Sequence, residues 1–457
     1  MKALALAAIV AVCLPAAAAP LQKPYKLRMR VAFTSDWTVV RLPDFLFPVA
    51  SRVVQSEGKG TPRIQGGEIV RPDKDLSLCV VEFDLVQMGH AGDDLQVTIE
   101  KGDLGRTEVT LSLAGVPDWK AQIENAGTVA GNERNPRPFT VTAAGDLYAK
   151  AERADVAAPR KPMVLAFYYP WYGSPDGPQK RLLHWGNAAN HYASAHYPTL
   201  GLYDSADPKA IQQHIAWARA CGIDAFVCSW WGEGGSDDYV DVACRAARDV
   251  AEKSRFPFTL YVERNTDVDQ AVSDLRYVWR TYVQSPAFLK LDGKPVLFVY
   301  GRAMGQLGLD GWQKAFERLK AEGIVYASIA DGFNPAYLEA FAGYHTYNPC
   351  GAALEDLANT YERASVVAHL RRKLFVATVL PGYDDTFVRK PGFTRDREDG
   401  AFYPKSWRTA TEADPDWIIV TTWNEWHEGS EIEPSREYGD RYLDLTKGLA
   451  EAWKASR

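Results

Sequence analysis

Beyond residue 163 the chain alternates short apolar runs with longer amphipathic ones, and no other feature restricts its fold so much. Eight runs read as strands: Val164–Tyr169, Ala225–Trp230, Thr259–Glu263, Val296–Tyr300, Val325–Ala330, Gly343–Tyr347, Leu374–Leu380 and Trp417–Thr422. Each is short and largely apolar, as a strand covered on both faces must be. Helical stretches fill the gaps at Asp207–Ala220, Asp237–Ser254, Asp267–Val283, Leu309–Ala321 and Leu354–Arg372, and Tyr438–Ala455 closes the chain. Asp207-Pro208 and Asp237 supply a capping acid or first-turn proline at helix starts. Together these alternations predict a (β/α)8 TIM barrel over residues 158–457. The competing arrangement, an open doubly wound sheet, usually carries a glycine-rich phosphate turn after its first strand; here that turn is Tyr168-Tyr-Pro-Trp-Tyr-Gly173.

The grammar before the barrel is different. Lys26–Phe33, Leu78–Leu85, Leu95–Ile99 and Thr107–Leu113 alternate with period two between Gly, Asp and Pro turns, which predicts an all-β sandwich over residues 20–157. The Ala-rich, Pro-punctuated stretch Ala151–Pro162 reads as a linker. The sandwich serves either as a glycan-binding module or as a packing domain. Residues 1–19 read as a secretory signal: Lys2, an apolar run from Ala3 to Leu14, then Ala17-Ala18-Ala19 before Pro20, with cleavage near Ala19 and export to the periplasm or medium. Val12 before Cys13 suits lipid-linked cleavage poorly. No later segment is long and apolar enough to cross a bilayer as a helix. A formal charge of -6 without Lys/Arg runs gives nucleic-acid binding no support. The remaining cysteines, Cys79, Cys221, Cys228, Cys244 and Cys350, have neither disulfide-framework nor zinc-ligand spacing, and Cys221 and Cys228 read as buried thiols. No metal or cofactor is expected.

Barrel enzymes assemble their sites from the loops that follow the strands. Tyr168, Tyr169, Trp171, Tyr172 and His184 follow the first strand, Trp230 and Trp231 the second, Glu263 the third, Tyr300 the fourth, Asp331 the fifth, Tyr347 the sixth and Tyr383-Asp-Asp385 the seventh. After the eighth comes Trp423-Asn-Glu-Trp-His-Glu-Gly429. A sugar ring offers an apolar C–H face to flat aromatics and a hydroxyl rim to carboxylates, Asn and His. A phosphate would call for Arg, Lys or helix N-termini instead. Glycosidic bonds are typically broken by two carboxyl groups, and Glu425 and Glu428 are the obvious pair. On a strand, residues three apart point to opposite faces, so the strand must end near Trp423 and the chain must turn; Gly429 is compatible with that. Glu263 reads either as a substrate contact or as the partner of Arg264 or another cation.

Several of these motifs resemble glycoside hydrolase family 99, the endo-α-mannosidases. They are Ala166-Phe-Tyr-Tyr-Pro-Trp-Tyr-Gly173, His184-Trp185, Tyr203-Asp-Ser205, Gly222-Ile-Asp-Ala-Phe226, Ser229-Trp-Trp-Gly232 and Trp423-Asn-Glu-Trp-His-Glu-Gly429, in order from about Leu165 onward. The resemblance implies a metal-free enzyme that cleaves internal α-mannosidic bonds with retention. It implies Glu428 as general acid/base and Glu425 as the base on the sugar's own 2-hydroxyl, giving a 1,2-anhydro intermediate. The expected subsite lining is Tyr168, Trp171, Tyr172, His184, Trp230, Trp231, Glu263, Tyr300, Asn424, Trp426 and His427, around an oligosaccharide or polysaccharide. Burial against Trp423 or Trp426 would raise the Glu428 pKa. The chain departs from the family pattern at Ser430-Glu431, where Thr-Gln is expected, and an extra acid near the site follows. The same barrel acting on another polysaccharide, or a non-catalytic glycan-binding protein, are the alternatives.

Overall fold

The computed structural model describes residues 24–457 except 44, 58–61, 66–67, 71–77, 89–93, 103–104, 128–134, 188–190 and 234–237. The expected signal segment and the expected capping Asp237 lie outside the described residues. The chain forms two compact units, Leu21–Val156 and Ala157–Arg457.

The first unit holds two five-stranded antiparallel sheets. One runs in the order Leu46–Ser56, Cys79–Gln87, Tyr25–Phe33, Thr107–Leu113, Lys120–Asn125; the other runs Arg137–Val141, Leu95–Lys101, Trp37–Arg41, Glu68–Val70, Arg63–Gln65. Alternation decides their facing. Leu27, Met29, Val31 and Phe33 of one sheet meet Leu95, Val97 and Ile99 of the other in a single apolar core, which makes the pair a β-sandwich.

In the second unit eight parallel strands close on themselves: β1 (Met163–Tyr168), β2 (Ala225–Trp230), β3 (Phe258–Val262), β4 (Lys294–Val299), β5 (Ala327–Asp331), β6 (Gly343–His345), β7 (Leu374–Val379) and β8 (Trp417–Val420). The closing pair sets Val164 opposite Ile418 and Leu165 opposite Ile419. Alternate residues Leu165, Phe167, Ala225, Val227, Tyr261, Val296, Phe298, Ala327, Ile329, Val376 and Ile419 form one cluster that fills the lumen.

Helices α1 (Pro208–Ala220), α2 (Asp238–Ser254), α3 (Val268–Thr281), α4 (Gly301–Ala321), α5 (Leu354–Leu370), α6 (Phe402–Glu412) and α7 (Arg441–Ala455) surround the strands. Asp207 caps α1 by accepting the Lys209 N–H at 2.9 Å, and Asp267 caps α3 through the Gln270 N–H at 2.9 Å. Helix α4 starts eight residues before the expected Leu309, because a break at Gly308 (φ 66°) joins two shorter helices. Helix α6 was not read from the sequence, although Phe402, Tyr403, Ser406, Trp407 and Ala410 make a buried helical stripe. After β5 the only helical element is the 3₁₀ turn Pro335–Glu339. Among the described residues no helix is long and apolar enough to cross a membrane, and all five cysteines are free thiols.

Candidate active site

Strand β8 ends at Val420, and hydrogen bonds bend the chain away from the strand path. The Trp423 N–H donates to the Phe167 carbonyl at 2.8 Å, and the Glu425 N–H donates to Thr422 Oγ1 at 2.8 Å. A 3₁₀ turn, Trp426–Glu428, follows, with Glu425 as its N-cap accepting the His427 N–H at 3.1 Å. Residues three apart eclipse one another in such a turn, so the two acids come to one side. Gly429 ends it at φ 53°, and a Cβ there would meet the Asp384 backbone N and O at 3.1 Å. Only glycine accepts both constraints easily.

Both carboxyls are buried, Glu425 at 2% and Glu428 at 9% exposure. Burial first, then the Glu428 charge, pushes Glu425 well above the usual carboxylate range. Its Oε2 is buried without a hydrogen-bond partner. Burial also raises Glu428, but donors oppose it: the Tyr347 hydroxyl donates to Oε2 at 2.8 Å, Arg389 Nη2 donates to Oε1 at 3.2 Å, and the Tyr383 phenol adds to them. The protein's own donors thus favour charge on Glu428 and the proton on Glu425. A third acid, Glu263 just past β3, is pushed up to about 8, mainly by burial, although Ser229 Oγ donates to its Oε1 at 2.7 Å. At neutral pH it holds its proton and presents an O–H donor. Tyr169 lies within the field of all three carboxyls.

Half-buried aromatics surround the acids. Trp171 stacks on His184 with ring centroids 4.9 Å apart and 2° between planes, and His427 packs on both rings. His427 Nε2 also bonds the His184 carbonyl. Burial lowers the His427 pKa, which keeps the imidazole neutral. Across the mouth, Trp231 bonds Ser229 Oγ at 3.2 Å and lies under Arg302 at 5.0 Å, and Tyr300 packs edge-on to Tyr347.

Five expected subsite residues are engaged elsewhere, and for two of them, Tyr168 and Trp230, strand parity turns the side chain outward. The Tyr168 hydroxyl lies 3.1 Å from His214 Nδ1 on α1, and Trp230 Nε1 donates to Asp241 on α2 at 2.8 Å. Their sequence neighbours Tyr169 and Trp231 take the inward places instead. Asn424 is wholly buried, accepting the Tyr169 N–H at 2.7 Å and donating to the Tyr169 carbonyl and Tyr203 hydroxyl. Tyr172 is buried against Trp185 and accepts the Trp426 N–H at 3.0 Å. Trp426 is fully buried beside Tyr203 and Glu433, and Trp423 packs on His214 and Phe226. We expect Trp426→Ala to cost about 3–5 kcal/mol of stability, as large aromatic truncations in cores do, measurable by chemical denaturation.

Glu431 adds no free acid to the cleft. It is 1% exposed, accepts Arg397 Nη2 at 2.9 Å and pairs with His196 Nδ1 at 2.7 Å, and the Arg397 and His196 charges hold its pKa below the usual range against burial. Arg397 Nη2 also donates to the Gly429 and Glu431 carbonyls, so the pair fastens the loop behind Glu428. Tyr347 and Tyr383, expected at strand ends but not in the subsite lining, complete the site together with Arg389, which was not expected. Parity two residues beyond His345 marks Tyr347, but a loop position such as Arg389 carries no periodic signal. A cavity of about 560 Å³, lined by Leu291, Phe316, Ile324 and Lys373, lies at the opposite, N-terminal end of the strands. Among the described residues no group of three His, Cys, Asp or Glu is arranged to hold a metal.

A closed (β/α)8 barrel whose C-terminal mouth joins buried glutamates to aromatic walls defines the glycoside hydrolase class. Residues 159–452 match the Glycosyl hydrolase family 99 model, and the chain belongs to that family. It is 30% identical over 345 residues to a glycoprotein endo-alpha-1,2-mannosidase-like protein of Danio rerio, covering 63% of this chain and 77% of the relative. With the glycoprotein endo-alpha-1,2-mannosidase of Rattus norvegicus it shares 26% over 327 residues, covering 62% and 70%. The solved GH99 endo-alpha-mannosidase from Bacteroides thetaiotaomicron superposes with a TM-score of 0.57 at 26% identity, covering 64% of this chain and 98% of that one. The protein is an endo-α-mannosidase-like glycoside hydrolase, and its N-terminal sandwich lies outside the family match.

Proposed function

We propose that this protein is an exported, endo-acting, retaining hydrolase of α-mannosidic bonds. In this reading residues 1–19 are removed, residues 20–157 form an accessory β domain and residues 158–457 carry the chemistry. The observation that supports it best is Glu425 Oε2, a buried carboxylate oxygen with no donor from the protein, standing beside a second buried acid. A substrate 2-hydroxyl supplies the missing donor. That bond favours the ionised form of Glu425, whose charge then pushes the remaining proton to Glu428. Substrate binding in this way reverses the preference set by the protein's own donors. Glu425 takes the 2-hydroxyl proton as that oxygen closes on the anomeric carbon, and Glu428 gives its proton to the departing oxygen. Water, deprotonated by Glu428, opens the 1,2-anhydro sugar, and Glu425 returns the proton to the 2-hydroxyl. Trp171 and Trp231 bury sugar faces, while Glu263, His184, His427 and Tyr300 bind the hydroxyl rim.

Mass spectrometry of products from a panel of α-mannans tests the reading. Short oligosaccharides released by the wild type, and not by Glu428→Gln, support it. No products, with ligand-induced thermal stabilisation of both forms, would replace it by a glycan-binding role. A pH profile tests the acid. Arg389 favours ionised Glu428, so Arg389→Gln should raise the Glu428 pKa. The protonated acid then persists to higher pH, and the basic limb of kcat/KM moves upward. A limb that stays or moves down counts against Glu428 as the acid.

A further inference from the structure

Six large apolar side chains are well exposed among the described residues, and three of them, Phe387, Val388 and Phe393, belong to one loop after β7. The others, Val54, Leu200 and Val325, stand singly. The loop is tied down. Tyr383–Asp384 pairs with Thr394–Arg395, the Phe393 N–H donates to Asp385 Oδ1 at 2.6 Å, and Arg389 Nη1 donates to Asp385 Oδ2 at 2.5 Å and to the Tyr383 hydroxyl at 2.6 Å. The same guanidinium reaches Glu428 through Nη2. The Phe393 ring lies 6.1 Å from Tyr383, whose hydroxyl accepts from that guanidinium. A line of contacts therefore runs from Glu428 through Arg389 and Tyr383 to an exposed aromatic ring.

We propose that this hairpin is a binding platform for the sugar rings on the leaving-group side of the cleaved bond, with Phe393 as its main stacking surface and Phe387 extending it. The inference rests on reading Glu428 as the acid. The acid protonates the departing oxygen, so the surface continuing outward from Glu428 follows the departing half of the glycan. Exposed aromatics held in place by hydrogen bonds suit the C–H faces of pyranose rings, and a hairpin ordered by Asp385 and Arg389 avoids an ordering cost on binding. The platform implies a substrate that extends past the cleaved bond.

Two donors separate the possibilities: an extended α-mannoside glycan, and a mannose-containing disaccharide fluoride, which has no sugar on the leaving side. Phe393→Ala is expected to lower kcat/KM on the glycan by roughly three- to tenfold, carried by KM, and the Phe387→Ala/Phe393→Ala pair by more, as lost aromatic contacts do. Both variants should match the wild type on the fluoride. Unchanged kinetics on the glycan, or equal losses on both donors, would overturn the platform while leaving the acid assignment intact. A wild type that turns over neither donor would overturn the parent reading, and the platform with it.

Discussion

Glu428→Gln should lower kcat/KM on an α-mannoside glycan at least about a hundredfold, as removal of a positioned general acid does. The amide matches the carboxyl in size and can still accept the Tyr347 hydroxyl, which now holds Oε2 at 2.8 Å. It cannot give a proton. Binding should therefore survive, and calorimetry with the intact glycan should show affinity within a few-fold of the wild type. Leaving-group chemistry sharpens the test. Fluoride departs without needing a proton, so the variant should keep most of its kcat/KM on a glycosyl fluoride, while kcat falls because the water that opens the 1,2-anhydro sugar has lost its base. Near-normal turnover of the glycan would sink the assignment, and so would equal losses of kcat/KM on glycan and fluoride.

The barrel was legible because parallel strands buried on both faces are written as continuous apolar runs, and all eight were found in place. The same property hid the facing of individual side chains. In Val164–Tyr169 every residue is apolar or aromatic, so nothing in the sequence says that Phe167 and Tyr169 point inward while Tyr168 meets His214. Trp230 and Trp231 posed the same ambiguity, and the subsite assignment fell on both. The sandwich was half legible. Tyr25–Phe33 and Thr107–Leu113 alternate cleanly, whereas Leu46–Ser56 carries Pro48 and mostly exposed residues after its first two positions. Glu431 shows a different limit. An acid two residues from a catalytic loop looks like site chemistry until its partners are known, and Arg397 and His196 are distant in sequence.

The placement of protons separates the two glutamates most sharply, and Glu425→Gln tests it. Without a base on the 2-hydroxyl the sugar oxygen cannot attack the anomeric carbon, whatever leaves. A loss of kcat/KM of about a hundredfold to ten-thousandfold is therefore expected on the glycan and on the fluoride alike, in contrast to Glu428→Gln, which should spare kcat/KM on the fluoride. A donor with its 2-hydroxyl methylated should be inert to the wild type, since Glu425 then has no proton to take. The rival role for Glu425, direct nucleophilic attack, makes opposite predictions: the methylated donor would react, and intact mass would show a glycosyl adduct on Glu425. Structure weighs on the choice. Glu425 Oε1 is held by the His427 N–H, and Oε2 is left for a partner from outside the protein. Donation from a 2-hydroxyl satisfies that oxygen while keeping the charge on the carboxylate until the proton moves. An adduct trapped at Glu425 would decide for the nucleophile; its absence, with both donors lost in the variant, would decide for the base.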